Sequence, residues 1–225
     1  KIKSLLVMKS KYAVLFLLGV LTISCDLEQN PVDSISSDNV FSSESGLQTY
    51  SNSFYEILPS AGDITKGDAM SDYTSRNTVP EFLRPGVYTA QSRGGWNWGA
   101  LRNINYFLAN NKGPGVSEDI REHYNGLARF FRAWFYFDKV KTYGSVPWID
   151  RPLDIEDEEL MAPRDSRADV MEHVLEDINY AIENIDIESE PSRTMVTKDV
   201  ALALKSRIAL FEGTYRKYHT ELGLQ

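Results

Sequence analysis

Between Arg121 and Asp150 the chain reads REHYNGLARFFRAWFYFDKVKTYGSVPWID, and along most of this stretch no polar face survives. Ile120, Tyr124, Leu127, Phe131, Trp134 and Phe135 recur at three- and four-residue steps, while Phe130, Ala133, Tyr136 and Phe137 fill the other side. A helix that is apolar almost all round has to be buried among other helices. Its end is marked as well: Gly144 can take the left-handed conformation that stops a helix, and Pro147 cannot extend one. Arg129 and Arg132 lie three apart and so share a face, where they need carboxylate partners or a route to water. Ion pairing with acidic residues of a neighbouring helix is the expected arrangement, and ligand contact the other.

Further helices can be placed around this one. The first runs from about Ser43 to Leu58, with Leu47, Tyr50, Phe54 and Ile57 on one face and Pro59 after its end. A second begins near Trp98, carries Leu101, Ile104 or Asn105, and Leu108 inward, and ends in Asn-Asn-Lys-Gly-Pro-Gly. Ser117 opens the central helix, with Glu118 and Asp119 in the first turn where the helix dipole favours them. Ser166 and Asp169 form a capping box ahead of Val170, Val174, Ile178, Ala181 and Ile185. Thr197 caps a last helix whose stripe is Val200, Leu204, Ile208, Phe211 and Tyr215. Residues 60–95, broken by seven glycines and prolines, read as a long irregular region that is functional or holds short elements. The expected class is all-α, built of antiparallel helical hairpins resembling tetratricopeptide repeats, although no strict repeat period is present.

The N-terminus has its own pattern. Lys9 and Lys11 precede an apolar run from Ala13 to Ile23, too short for the roughly 20 residues of a membrane-spanning helix. Residues 1–24 are therefore expected to be a signal peptide, with Met8 the more natural start than Lys1. The lone cysteine, Cys25, preceded by Leu21, Thr22, Ile23 and Ser24, resembles a bacterial lipoprotein lipobox. That resemblance implies acylation of Cys25, and acyl chains contribute about 0.8 kcal/mol of anchoring per buried methylene. Residues 25–42, polar and broken by Pro31, read as the lipidated tether, and 43–225 as the folded domain. The net charge is -8, and loss of four lysines with the leader changes 24 basic and 32 acidic residues to 20 and 32, a net of -12. A chain this acidic lacks the basic face that nucleic-acid binding requires.

Signals for catalysis or for a bound cofactor are missing. His123, His173 and His219 lie on separate predicted helices without metal-ligand spacing, no HExxH occurs, and Gly62-Asp-Ile-Thr-Lys-Gly67 lacks the Lys-Ser/Thr of a phosphate loop. With a single cysteine, no internal disulfide or cysteine-rich metal site can form. The acidic stretch Asp154–Glu159 lacks EF-hand spacing and reads as a solvated surface. No catalytic residue, metal or cofactor is expected.

Cys25-Asp-Leu-Glu-Gln-Asn-Pro31, Trp98-Gly-Ala-Leu-Arg-Asn-Ile-Asn105, Ala128-Arg-Phe-Phe-Arg-Ala-Trp-Phe-Tyr136, Tyr143-Gly-Ser-Val-Pro147, Pro163-Arg-Asp-Ser-Arg167 and Thr197-Lys-Asp-Val-Ala201 follow one another in order. In that order they resemble the SusD/RagB outer-membrane nutrient-binding lipoproteins. Members of that family are considerably longer, so the chain is expected to correspond to their N-terminal part. The resemblance implies a helical-repeat scaffold lipid-anchored at the outer face of the outer membrane. It implies capture of a glycan or another nutrient and delivery to a TonB-dependent, SusC-like barrel transporter, without chemistry. Asp26 and Glu28, just after the cysteine, resemble the sorting signal for that outer face.

Sugar capture calls for a flat aromatic face against the C–H side of a pyranose, beside amides or arginine for its hydroxyls. Trp96, Asn97 and Trp98 in a Gly-rich turn, with Arg93 and Tyr88 just before them, offer this set. Trp98 opens a helical stripe and has the stronger claim to be packing; Trp148 can seal the end of the central helix, and Asn105 can bond across a helix junction. Two other readings stay open. One is a helical-repeat interaction module, a lid for the transporter with a peptide ligand. The other is a surface glycosidase, since carboxylates are plentiful.

Overall fold

The computed structural model describes residues 40–68, 77–79, 83–87, 89, 94–187 and 191–224. Residues 1–24, expected to be a leader, Cys25 and nearly all of the expected tether lie outside them. The described residues form helices α1 (Glu44–Ser51), α2 (Ala61–Asp68), α3 (Gly99–Asn110), α4 (Glu118–Tyr143), α5 (Arg167–Asn184) and α6 (Lys198–Tyr218). Short 3-10 turns occupy Asn52–Ile57, Glu158–Met161 and Thr220–Leu222. Among the described residues there is no strand, only an isolated antiparallel bridge between Val146 and Asp165.

Helix α4 is the axis of the fold. Phe130, Phe131, Ala133, Tyr136 and Phe137 on it are buried, as are Tyr124, Leu127 and Val140. Burying each large apolar side chain contributes about 1.5–3 kcal/mol. Helix α5 runs antiparallel to it: Val140 near the end of α4 accepts a bond from Arg167 at the start of α5, while Gly126 lies against Ile185 beyond the end of α5. Helix α3 is antiparallel on another side, with Asn105 against Arg132 and Asn111 bonded to Asn125. Helix α6 packs back on α5, joined by Lys198 donating to the Ile187 carbonyl. These are the helical hairpins that the spacing of apolar residues predicts.

The face shared by Arg129 and Arg132 meets α5. Arg132 donates from Nε and Nη2 to the two oxygens of Asp177 at 2.6 and 2.8 Å, and from Nη1 to Asn105 Oδ1 at 3.2 Å. Burial acts to lower the Arg132 guanidinium pKa, but its bonds to Asp177 and the nearby carboxylate charges outweigh that and hold it above the ordinary value. Arg129 stands 3.8 Å from the same carboxylate and lies over the Tyr180 ring. Ion pairing with a neighbouring helix is thus the arrangement found. A second buried pair, Arg167 with Glu212 at 2.8 Å, joins α5 to α6, and Arg216 closes on Glu212 at 2.9 Å.

Several local expectations change. The first helix is shorter than 43–58 because Ser51 and Ser53 donate to the Gln48 and Tyr50 carbonyls, and side-chain bonds of this kind compete with the α-helical ladder. The chain tightens there into the 3-10 turn. Helix α2 lies inside the region expected to be irregular. Residues 61–67 of it are exposed, so no apolar stripe marks it, and its sequence signal is the reciprocal capping of Ser60 and Asp63. On α3, Phe107 is buried and Leu108 only partly so, because Phe54 and Phe41 close over that side at 5.3 and 5.7 Å.

Ser117 stands at the start of α4 without a side-chain cap bond, whereas Ser166 and Thr197 accept from Asp169 and Val200 as predicted. Gly144 has the positive φ expected, 75°, but its ψ of -110° lies outside the left-handed helical well. On α6 the buried seam is Ala201, Leu204, Ile208 and Glu212, and Val200 is 42% exposed. Leu204 and Ile208 keep the expected face and Phe211 packs partly against the core; the differences are that Ala201 is buried in place of Val200 and that Glu212 turns inward to Arg167. The Gly-Pro-Gly turn after α3 does more than end a helix. A Cβ on Gly113 or Gly115 would collide with the carbonyls of Phe41 and Ser42, so only glycine permits this approach.

Candidate functional site

The turn Gly94–Trp98 lies where the start of α3 meets the end of α4. Two side chains from the last turns of α4 fix it: Tyr143 donates to the Gly94 carbonyl at 2.8 Å, and the buried Lys139 ammonium donates to the Gly95 carbonyl. Gly95 adopts a φ of 96°, and its carbonyl also accepts from the Asn97 N–H. Asn97 Oδ1 accepts from the Gly99 N–H at 2.8 Å and so supplies the start of α3 with a side-chain bond that Trp98 does not give. Asn97 is exposed, with its amide nitrogen the group left for a ligand.

Trp98 is half-buried, its ring 5.6 Å from Phe135 and 6.2 Å from Tyr136. Trp96 is 45% exposed and meets Trp98 at 5.1 Å and Tyr143 at 4.9 Å, both close to perpendicular. Edge-to-face contacts of this kind are favourable and hold a ring in one orientation. The Arg164 guanidinium lies 4.9 Å from the Trp96 ring centroid. What results is a rigid, solvent-facing indole with an amide and a guanidinium beside it.

Two cavities frame this region differently. One of about 260 Å³ adjoins Trp98, is lined mainly by Leu101, Ile149, Leu153 and Leu160, and is almost wholly apolar. Another, of about 590 Å³, lies at the opposite end of α4, where Glu44, Asp119, Glu122, Glu183 and Asp186 gather without an exposed aromatic face. Among the described residues no three His, Cys, Asp or Glu side chains gather in a way that could hold a metal ion.

The family model SusD-like_2, described as starch-binding associating with outer membrane, matches residues 48–205, well over half of the chain. The chain belongs to the SusD-like family. SusD-like protein P2 of Formosa agariphila is 24% identical over 228 residues, covering 92% of this chain and 44% of its own length. A SusD-like protein of Bacteroides fragilis superposes with a TM-score of 0.58 at 24% identity, over 83% of this chain and 38% of that one. A SusD-like carbohydrate-binding protein of the same species gives 0.58 at 17% identity, over 79% and 39%. The chain thus spans less than half the length of these relatives. The structural likeness establishes the tetratricopeptide-like helical fold shared by SusD-like proteins.

Within this SusD-like fold the residues singled out in the sequence are distributed as follows. Trp96, Asn97 and Trp98 come together at one turn, with Trp98 packed inward; Arg93 and Tyr88 lie outside the described residues. Trp148 is held between Tyr136 at 4.3 Å and His173 at 4.6 Å, so it seals the end of α4. Asn105 is buried and donates to the Ile149 carbonyl at 2.9 Å, a junction bond. Arg164, Tyr143 and Lys139 were not anticipated beside Trp96. They are 40 to 70 residues away in sequence; membership of the Tyr143-Gly-Ser-Val-Pro147 and Pro163-Arg-Asp-Ser-Arg167 segments was the only signal for Tyr143 and Arg164, and Lys139 had none.

Proposed function

We propose that the protein is a non-enzymatic, cell-surface glycan-binding lipoprotein that takes up sugar chains at the Trp96 turn and delivers them to a TonB-dependent, SusC-like barrel transporter. One observation carries the reading. In a family described as starch-binding and outer-membrane-associated, this chain fixes an exposed indole where a pyranose can lay its C–H face. Anchoring through an acylated Cys25, with the domain facing the exterior, completes the reading. Aromatic stacking plus a few hydrogen bonds gives modest affinity, which suits hand-over to a transporter.

Affinity electrophoresis of the purified protein against a polysaccharide panel tests the binding. At least one polysaccharide is expected to retard the protein, and Trp96→Ala is expected to weaken that retention about tenfold or more, the effect of losing ~1.4 kcal/mol or more from an aromatic anchor. Retention by no glycan would overturn the reading in favour of the peptide-binding helical module, and shortened glycan chains would point to the glycosidase. Unchanged retention of Trp96→Ala would remove Trp96 from the site. The anchor has its own test. In cells fed labelled palmitate, the protein is expected to take up label and to sediment with the outer membrane. Cys25→Ala is expected to lose both properties, and an unlabelled wild-type protein would refute the anchor.

A further inference from the structure

Arg164 reaches the Trp96 platform from the loop before α5. Its guanidinium lies over the Trp96 ring at 4.9 Å and makes no ion pair among the described residues. The carboxylate next to it in sequence, Asp165, is turned to the Trp148 N–H at 2.6 Å. By contrast Arg121, Arg132, Arg151, Arg167 and Arg216 all close on carboxylates within 3.0 Å. Among the described residues no carboxylate answers the charge at Arg164, which lies against the indole.

For an uncharged pyranose such a guanidinium can offer no more than N–H donors to hydroxyls, and where it now lies it covers ring surface on which the sugar would stack. A ligand with an anionic group makes the guanidinium a charged partner. An exposed cation–π contact is worth only about 0.5–1 kcal/mol, so the guanidinium leaves the ring easily. Its planar fork pairs two-to-two with a carboxylate or sulfate, a stronger and more directional bond than it makes to a hydroxyl. The need for such a group is sharpened by the chain's net charge of -8, which repels anionic ligands at long range unless a local cation holds them.

We propose that the Trp96 platform selects acidic glycans, chains bearing a carboxylate or a sulfate ester, and that Arg164 is the residue that determines this selectivity. The inference rests on the glycan-binding reading above and assigns its ligand class. The sugar ring stacks on the indole while Arg164 pairs with the anionic substituent.

Matched polysaccharides that differ only in charge test it. De-esterified and methyl-esterified polygalacturonan report on carboxylate, and sulfated and desulfated galactan report on sulfate. The wild-type protein is expected to be retained at least tenfold more strongly by the acidic member of at least one pair, with retention falling as salt rises from about 0.05 to 0.5 M. Which pair responds identifies the anion. Arg164→Gln is expected to abolish the preference by lowering retention on the acidic chain at least tenfold, and Arg164→Lys, which keeps the charge, to restore part of it. Arg164 is exposed in the loop before α5, so neither change should alter the thermal melt. Equal retention within every pair, or retention of neutral chains only, overturns the assignment and leaves the glycan-binding reading standing. Retention by no glycan, charged or neutral, overturns both.

Discussion

Asp177→Ala is expected to lower the unfolding free energy by about 3–5 kcal/mol, read from the midpoint of a urea titration. The substitution removes the carboxylate that neutralises Arg132, whose side chain is only 7% exposed. Asn105 Oδ1 at 3.2 Å and the Asp150 carbonyl at 3.3 Å are the acceptors left, and neither carries a charge. A guanidinium cannot shed its proton to escape, so the folded state then carries a buried ion with only the non-bonded charge of Asp150 to offset it. Arg129 provides the internal contrast. It approaches the same carboxylate only to 3.8 Å, is 36% exposed and lies over Tyr180, so Arg129→Ala should cost about 1 kcal/mol or less. Replacing both partners, as Arg132→Met with Asp177→Leu, should recover most of the loss, because no charge then remains buried. If the double variant is as unstable as Asp177→Ala alone, an unpaired charge is not the cause.

Phe131→Ala is expected to cost about 3–5 kcal/mol in the same titration. Phe131 is fully buried on α4, and its ring lies 4.8 Å from Tyr55, 5.9 Å from Phe54 and 5.1 Å from Phe130. The aromatic residues of the 3-10 turn after α1 close on it from one side. Truncation therefore leaves a cavity with rigid walls that cannot collapse, and the cavity adds to the lost transfer energy. Phe131→Leu, which keeps most of the volume, should cost about 1–1.5 kcal/mol. Equal losses for alanine and leucine would mean that ring contacts rather than volume fill this site.

The legibility of the fold followed burial. Helix α5 could be read almost completely, because Ser166 and Asp169 cap it and its stripe from Val170 to Ala181 has one packed face. Helix α2 could not, because an exposed helix has no core-facing period to betray it; only the Ser60–Asp63 pair marks its start. On α6 the period was plain, and Leu204 and Ile208 keep it, but its two ends were not. Val200 and Ala201 are both apolar, and spacing does not say that Ala201 is the one buried or that Glu212 turns inward to Arg167. The exposed indole, the side chain most central to the candidate site, was visible as Trp96 in a Gly-rich turn, yet nothing in that turn indicates that Tyr143 braces it or that Arg164 lies over it.

Taken alone, the order of residues determined that this chain is helical, that α4 is enclosed, that Arg129 and Arg132 share one face, and which family the segments resemble. These are consequences of local spacing, since a 3.6-residue period and a capping side chain act within a few positions of themselves. The tertiary structure decided which carboxylate answers Arg132, that Trp148 is sealed between two rings, and that a cation from the loop before α5 sits over the indole ahead of α3. Contacts between residues dozens of positions apart depend on helix rotation and crossing, which are fixed when the whole core packs at once.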